Sequence, residues 1–219
     1  MCDLDLMEEE QSGSMFKTII GENKKAEVEF RDQEKYRSLP GLALPAICFL
    51  DEYLAKDMDV LEWGSGASTL FFISRCSLLV SIEHNPSWFD KIGEALAYRG
   101  YDRYTYRVLV KPEQGFDPEF SSHQAGYESV NFKNYVRGID NAENDCYDVI
   151  LVDGRARCAC LKAARPKLNP GGLLVLDDSQ RPIYHRAMAE IDWPVMHFEG
   201  CIPYYKHGRT VRTTIWVKE

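Results

Sequence analysis

The chain has fewer positive than negative charges, no apolar run of membrane length, and one glycine fewer than a dinucleotide site would need. Each shortage excludes something. Lysine and arginine number 26 against 34 aspartates and glutamates, for a net charge of −8. A broad nucleic-acid surface needs clustered cations and is excluded. No apolar stretch approaches the roughly 20 residues of a membrane span. The first residues lack the basic-then-apolar order of a secretory signal. They carry Asp3, Asp5, Glu8, Glu9 and Glu10 instead, so residues 1–15 are expected to form an acidic, loosely ordered lead. The seven cysteines fall at irregular spacing, which points to reduced thiols and a cytoplasmic setting. Cys158 and Cys160 stand two apart, so on a helix they point to different sides and suit no zinc site. Internal repeats and long low-complexity linkers are absent, so residues 16–219 are expected to form one domain with a substantial core.

What is present is concentrated in the segment Asp59-Val60-Leu61-Glu62-Trp63-Gly64-Ser65-Gly66-Ala67-Ser68-Thr69-Leu70. It reads as an apolar strand ending near an acid, a turn through two glycines, and a helix with Ser68 or Thr69 as N-cap. Glycine permits positive φ and a close approach of backbone to ligand. The helix start offers unpaired N–H groups. A dinucleotide fingerprint places a third glycine three positions after the second, where this chain has Thr69. A second apolar run, Leu78 to Glu83, ends in an acid nineteen residues after Gly64. That spacing suits a carboxylate accepting from ribose hydroxyls. His84 follows directly, and Pro86 marks a turn before the next helix.

Short apolar runs alternate with helical stretches, the mark of an α/β sheet. A helix is expected over Ala43–Ala55. Strands are expected near Val60–Glu62, Leu79–Glu83, Thr105–Val110, Asp148–Asp153, Leu173–Asp177, Val195–Glu199 and Thr213–Val217. A helix over Arg157–Leu168 is expected to stop at Asn169-Pro170-Gly171-Gly172. The long polar stretch Lys111–Asp145 carries Phe116, Phe120, Tyr127, Phe132 and Tyr135. It leaves the third strand beside the ligand crevice, as a lid, a substrate wall or a surface insertion. The last two strands are joined by a loop without a helix, which allows an antiparallel return.

The acid before Gly64-Ser65-Gly66, Glu83 at the next strand end, Tyr147 to Gly154, and Asn169 to Asp178 occur in this order. Together they resemble the motifs of class I S-adenosylmethionine (SAM) methyltransferases. The resemblance covers about Asp59 to Asp178. It implies a Rossmann-like three-layer sandwich with a mostly parallel seven-stranded sheet and an antiparallel C-terminal hairpin. It also implies SAM as cofactor, with Glu62, Gly64, Gly66, Ser68, Glu83 and His84 around it and Glu62 facing its ammonium directly or through water.

Asp153, Asp177 and Asp178 are expected to converge at neighbouring strand ends, where carboxylates repel unless a proton or a cation joins them. Oxygen ligands of this kind suit Mg²⁺ or another hard divalent cation. The trio resembles the metal triad of catechol-type O-methyltransferases, with two departures. Asp178 replaces an asparagine, and Ala156 stands where those enzymes carry a catalytic lysine. Arg155, Arg157 and Arg181 either bind an anionic small-molecule substrate or neutralise the aspartates. Asp153 and His185 are the candidate catalytic residues, with His185 the nearby imidazole base. The expected activity is therefore methyl transfer, most simply to oxygen. Transfer of an aminopropyl group, as by spermidine synthases, and a non-catalytic SAM-binding scaffold are the alternatives. Neither the acceptor nor the oligomeric state is legible.

Overall fold

The computed structural model describes residues 39–203 and 209–219. The acidic lead over 1–15, the domain start at 16 and the loop residues Tyr204 to Gly208 lie outside the described residues. The helices are α1 (Leu44–Tyr53), α2 (Ala67–Ile73), α3 (Pro86–Tyr98), α4 (Lys133–Val136), α5 (Arg157–Ala164) and α6 (His185–Ala189). The strands are β1 (Asp59–Trp63), β2 (Leu78–Glu83), β3 (Thr105–Leu109), β4 (Glu113–Gln114), β5 (Val130–Asn131), β6 (Tyr147–Val152), β7 (Leu168–Leu176), β8 (Val195–Cys201) and β9 (Thr210–Val217). Among the described helices none is long and apolar enough to cross a membrane. The six described cysteines are unpaired.

Seven strands form one sheet in the order β3-β2-β1-β6-β7-β9-β8. β3 to β7 pair in parallel, and β9 runs antiparallel to both β7 and β8. The expected Rossmann-like sandwich with its antiparallel C-terminal hairpin is therefore observed. β1 and β6 are the central neighbours, and the chain leaves them in opposite directions. That makes their carboxyl ends the switch point where open α/β sheets bind ligands.

Strand alternation divides the core into two layers. Val60, Leu79, Val149, Leu151, Leu173 and Val175 pack with residues of α1, α2 and α3. Leu61, Trp63, Ile82, Ile150, Val152, Leu174 and Leu176 pack with residues of α4 and α5. Phe132, Tyr135, Val136 and Ile139 of the long connection belong to this second layer. That connection is thus buried in its second half. Its first half carries the small antiparallel pair β4–β5.

Two local expectations are corrected. The helix from Arg157 ends at Ala164, because Pro166 cannot donate the next helical hydrogen bond and a 3-10 turn over Arg165–Lys167 follows. Asn169-Pro170-Gly171-Gly172 is not its stop but an irregularity inside β7. Tyr147 pairs with Leu168, and the next pair is Val149 with Leu173. The helix after β1 is capped by Gly66 rather than Ser68 or Thr69. The Thr69 hydroxyl does accept from the Gly66 N–H at 2.9 Å.

One buried hydroxyl ties three elements. Thr213 Oγ1 on β9 accepts from the Ala43 N–H at the start of α1 (3.0 Å) and donates to Asp177 Oδ1 just after β7 (3.2 Å). Thr213→Val keeps the shape but leaves a buried N–H without an acceptor. It is expected to lower unfolding free energy by about 1–3 kcal/mol in urea titrations. A loss below about 0.5 kcal/mol would show that the hydroxyl carries no such burden.

Candidate active site

The site is built where β1 and β6 end. Gly64 has φ +98°, and a Cβ added there would lie 2.9 Å from Gly154 Cα and N. A Cβ on Gly154 would lie 1.9 Å from Tyr135 Oη. The two glycines let the turn after β1 and the turn after β6 meet backbone to backbone, with Tyr135 packed beneath. Gly64 is thus required by its own φ and by Gly154, whatever the ligand. Gly66 is extended, with the nearest atom to an added Cβ at 3.8 Å.

Glu62 lies behind this turn, fully buried. It shares a sheet face with Val60, so β1 directs it into the contact with α2. There its Oε2 accepts from Ser68 Oγ at 2.6 Å, and its Oε1 accepts from Ser81 Oγ at 2.7 Å and from Thr69 Oγ1. Burial pushes its pKa up to about 7, against the three hydroxyls, which favour the charge. Glu62 and Ser68 therefore fasten the turn to α2 and β2. Glu62 lines neither of the two cavities at this end of the sheet, and hydroxyls occupy its oxygens, so the direct form of the expected contact with a ligand ammonium is not seen.

Glu83 lies in front of the turn. Its Oε2 accepts from Ser65 N (2.9 Å), and its Oε1 from His84 N and Asn85 N (2.8 Å each). Burial opposes its charge, but the His84 ring and the backbone N–H groups of Asn85 and His84 outweigh it and hold the carboxyl below its usual range. His84 Nδ1 lies 2.8 Å from Oε1 but is not aligned for a hydrogen bond and has no other partner. Its Nε2 meets Tyr127 Oη at 3.1 Å. Oε1 is thus fully used, and Oε2 has room for one further donor.

Glu83, His84, Gly64, Asp153 and Arg155 line a cavity of about 310 Å³, together with Ser65, Asn85, Trp88, Gln124, Tyr127 and Gly154. Across Gly154, Arg155 and Gln124 lies a second cavity of about 410 Å³. Its further walls include Glu119, Ser121, His123, Arg157, Arg181 and Tyr184. Both volumes suit small ligands. Length and aromatic content flagged the connection that supplies Gln124 and Tyr127. Nothing in its pattern singled out Gln124, Glu119 or His123, or Trp88 in α3.

The charged residues separate on inspection. Arg157 is buried. It donates to Asp153 Oδ1 and Asp153 O (2.8 Å each), Asp177 O (2.6 Å) and Gly154 O (3.1 Å). Arg181 pairs with Asp178, as does Arg209 at 3.0 Å. For these two predicted substrate arginines the neutralising reading holds. Arg155 differs: among the described residues no carboxylate pairs with it. Its guanidinium lies 5.5 Å from the Tyr127 ring centre, and its buried Nε has no partner. Burial raises the pKa of Asp153, Arg157 lowers it and Asp178 raises it again, for a net rise. Burial and Asp153 together hold Asp177 well above its usual range. Among the described residues no group of three acids, histidines or cysteines is placed to hold a metal. The expected Asp153–Asp177–Asp178 metal site is corrected accordingly, because arginines occupy its carboxylates. His185 is exposed at the start of α6 and lines neither cavity, because the preceding turn directs Tyr184 inward instead.

Glu62 gives a pH prediction. Its folded pKa of about 7 lies above an unfolded value near 4.5. The folded state therefore holds the extra proton between these values, and stability is lost as pH rises through them. Unfolding free energies at pH 5 and pH 8 should differ by about 2–3 kcal/mol more in the wild type than in Glu62→Gln. Equal pH slopes in the two proteins would refute the buried, raised carboxyl. The glycines give another. Gly64→Ala is expected to cost about 1–3 kcal/mol from strained φ and overpacking. Gly66→Ala should stay within about 0.5 kcal/mol of Gly64→Ala's parent. Equal costs in urea denaturation would contradict the Gly64–Gly154 contact.

No protein-family model and no curated protein matches the chain. Solved structures do. An O-methyltransferase from Bacillus cereus, in complex with S-adenosylhomocysteine (SAH), aligns with a TM-score of 0.59 at 13% identity, covering 94% of this chain and 91% of that one. An O-methyltransferase of tomaymycin synthesis from Streptomyces achromogenes, in complex with SAM, aligns at 0.59 with 16% identity, covering 90% and 96%. An rRNA methylase from Streptococcus thermophilus aligns at 0.57 with 12% identity, covering 78% and 93%. Strand order, the antiparallel β9 and these alignments agree: the chain has the class I fold of SAM-dependent methyltransferases.

Proposed function

We propose that the chain is a SAM-dependent methyltransferase acting on an anionic small molecule, at oxygen. The observation that carries this reading is the pair of cavities sharing one wall at the switch point. One has the chemistry of a SAM site. Glu83 Oε2 retains one acceptor position for a ribose hydroxyl, and the His84 ring, whose Nδ1 has no hydrogen-bond partner, and the Trp88 indole flank it. The other is large enough for an acceptor and meets the first at Gly154 and Arg155.

When bound, SAM supplies a methyl group on a sulfonium, and its transfer is an in-line displacement that needs alignment and dryness above all. Arg155 holds an anionic group of the acceptor, its planar fork offering parallel donors. Asp153, which lines the first cavity next to the shared Gly154 and Arg155, takes the acceptor hydroxyl proton on its carboxylate. Its raised pKa makes it a stronger base than an ordinary aspartate. The Glu119–Tyr127 segment supplies a wall to each cavity, with Gln124 in both. An aminopropyl transferase would need carboxylates facing an amine, whereas Asp177 and Asp178 face arginines.

Calorimetry is expected to show binding of SAM and SAH and much weaker binding of decarboxylated SAM. Glu83→Ala should weaken SAM by about 10- to 150-fold, for a lost charge-assisted bond of about 1.5–3 kcal/mol. Native affinity in a folded Glu83→Ala variant would remove Glu83 from the site, and preference for decarboxylated SAM would favour aminopropyl transfer. In a screen of hydroxy-acids against their neutral amides, the acids should be methylated. Arg155→Ala should abolish that preference while SAM still binds. A preference that survives in the variant would place the anion site elsewhere.

A further inference from the structure

The ends of β6 and β7 present acceptors of the kind a hard cation prefers: the carboxylates of Asp153 and Asp177 and the main-chain oxygens of Asp153, Gly154 and Asp177. All of them face one guanidinium. Arg157 Nε donates to Gly154 O, Nη1 to Asp177 O, and Nη2 to both Asp153 O and Asp153 Oδ1. Nη1 also stands 4.0 Å from Asp177 Oδ2. Four of the five N–H groups of the fork are thus hydrogen-bonded to oxygens at the ends of β6 and β7.

The backbone is shaped to put the guanidinium there. Ala156, the residue before Arg157, has φ +47°, and Asp178, the residue after Asp177, has φ +52°. Left-handed backbone at non-glycine residues persists only where surrounding contacts over-determine it. Here it turns Arg157 back onto the strand ends and turns Asp178 away from them. Asp178 then pairs with Arg181 and Arg209 and makes no hydrogen bond or ion pair with Arg157.

We propose that the Arg157 guanidinium is the resident cation of this site, occupying the place a divalent ion would take between Asp153 and Asp177. It acts as a positioning residue: it fixes the Asp153 carboxylate in the wall of the first cavity, beside the shared Gly154, through a charge that no chelator removes. The inference rests on contacts within the chain and stands apart from the identity of the methyl acceptor.

The test uses the full chain, with Mn²⁺ and Mg²⁺ as probes. Wild-type melting temperature is expected to be indifferent to EDTA and to millimolar Mn²⁺, and calorimetry should detect no stoichiometric Mn²⁺ binding. Arg157→Ala vacates the position and should lower the melting temperature by roughly 6–20 °C. Mn²⁺ should restore part of that loss at one ion per chain, and Arg157→Ala combined with Asp177→Asn should abolish the restoration. A structural role alone would not create a metal site. Stoichiometric Mn²⁺ binding by the wild type, or its destabilisation by EDTA, overturns the proposal. So does a folded Arg157→Ala that binds no Mn²⁺. If Arg157→Ala does not fold, Arg157→Lys decides. It should melt below the wild type and stay indifferent to Mn²⁺, and wild-type stability there would show that the fork is not needed. Failure of SAM to bind the wild type would count against the methyltransferase reading and leave these metal results as they stand.

Discussion

The contact between Gly64 and Gly154 sets the geometry at the carboxyl end of the sheet. Two turns from neighbouring strands approach so closely that neither tolerates a Cβ. Their neighbours therefore leave in diverging directions: Ser65 toward β2 and α3, Arg155 toward Tyr127, and Arg157 toward the end of β7 and Tyr184. The two cavities lie in that divergence and share Gly154 as part of their common wall. Tyr135 closes the contact from below, with its hydroxyl against Gly154 and its ring in the core. The buried half of the long connection is thereby anchored. Its exposed half, from Glu119 to Tyr127, is carried to the cavity walls as a consequence.

The two glutamates that flank the turn show how depth separates roles on one sheet face. Glu62 and Glu83 belong to the same face, with Ser81 between them in the β1–β2 register. Glu62 is one residue short of the end of β1 and is covered by α2, which supplies hydroxyls as partners. Glu83 is the last residue of β2, beyond that cover, and backbone N–H groups hold it open to the cavity. A buried carboxyl matched to hydroxyls can give up its charge without losing partners. A carboxylate matched to fixed N–H donors cannot, because those donors need an acceptor whatever the pH. The turn is fastened from behind by a group that titrates near neutrality and from the front by one that stays ionised.

Much of this was legible in the sequence. All seven strands of the main sheet were placed to within a few residues, because apolar runs bounded by glycine, proline and acids carry the period of a buried strand. Glu83, Gly64, Asp153 and Arg155 were singled out and do line the cavities. The rest was not legible for identifiable reasons. That Glu62 is covered depends on where α2 lies, which a motif does not state. That Asp178 turns away depends on one residue with positive φ. Pro166 ended α5 before the more conspicuous Asn169–Gly172, and that stretch is absorbed into β7 because Gly171 N–H and Gly172 O pair with Lys218. Arg209, Gln124 and Trp88 come from three separate segments and meet the site only through the fold.

The molecule is acidic, yet the wall between its two cavities carries a cation, and pairing accounts for this. The chain as a whole is acidic. At physiological salt, exposed charges more than about 8 Å away are largely screened. What a ligand meets inside the cavities is set by the few groups in the walls. There Asp153 and Asp177 are joined to Arg157, and Asp178 to Arg181 and Arg209. Burial further suppresses the negative charge of Asp153 and Asp177 by raising their pKa values. Once these groups are matched, Arg155 is, among the described residues, the cation that lines both spaces without a paired carboxylate, its guanidinium 5.5 Å from the Tyr127 ring centre. On the proposed reading, an acidic protein can in this way hold an anion at Arg155, because Asp153, Asp177 and Asp178 are already matched by arginines that no ligand needs to displace.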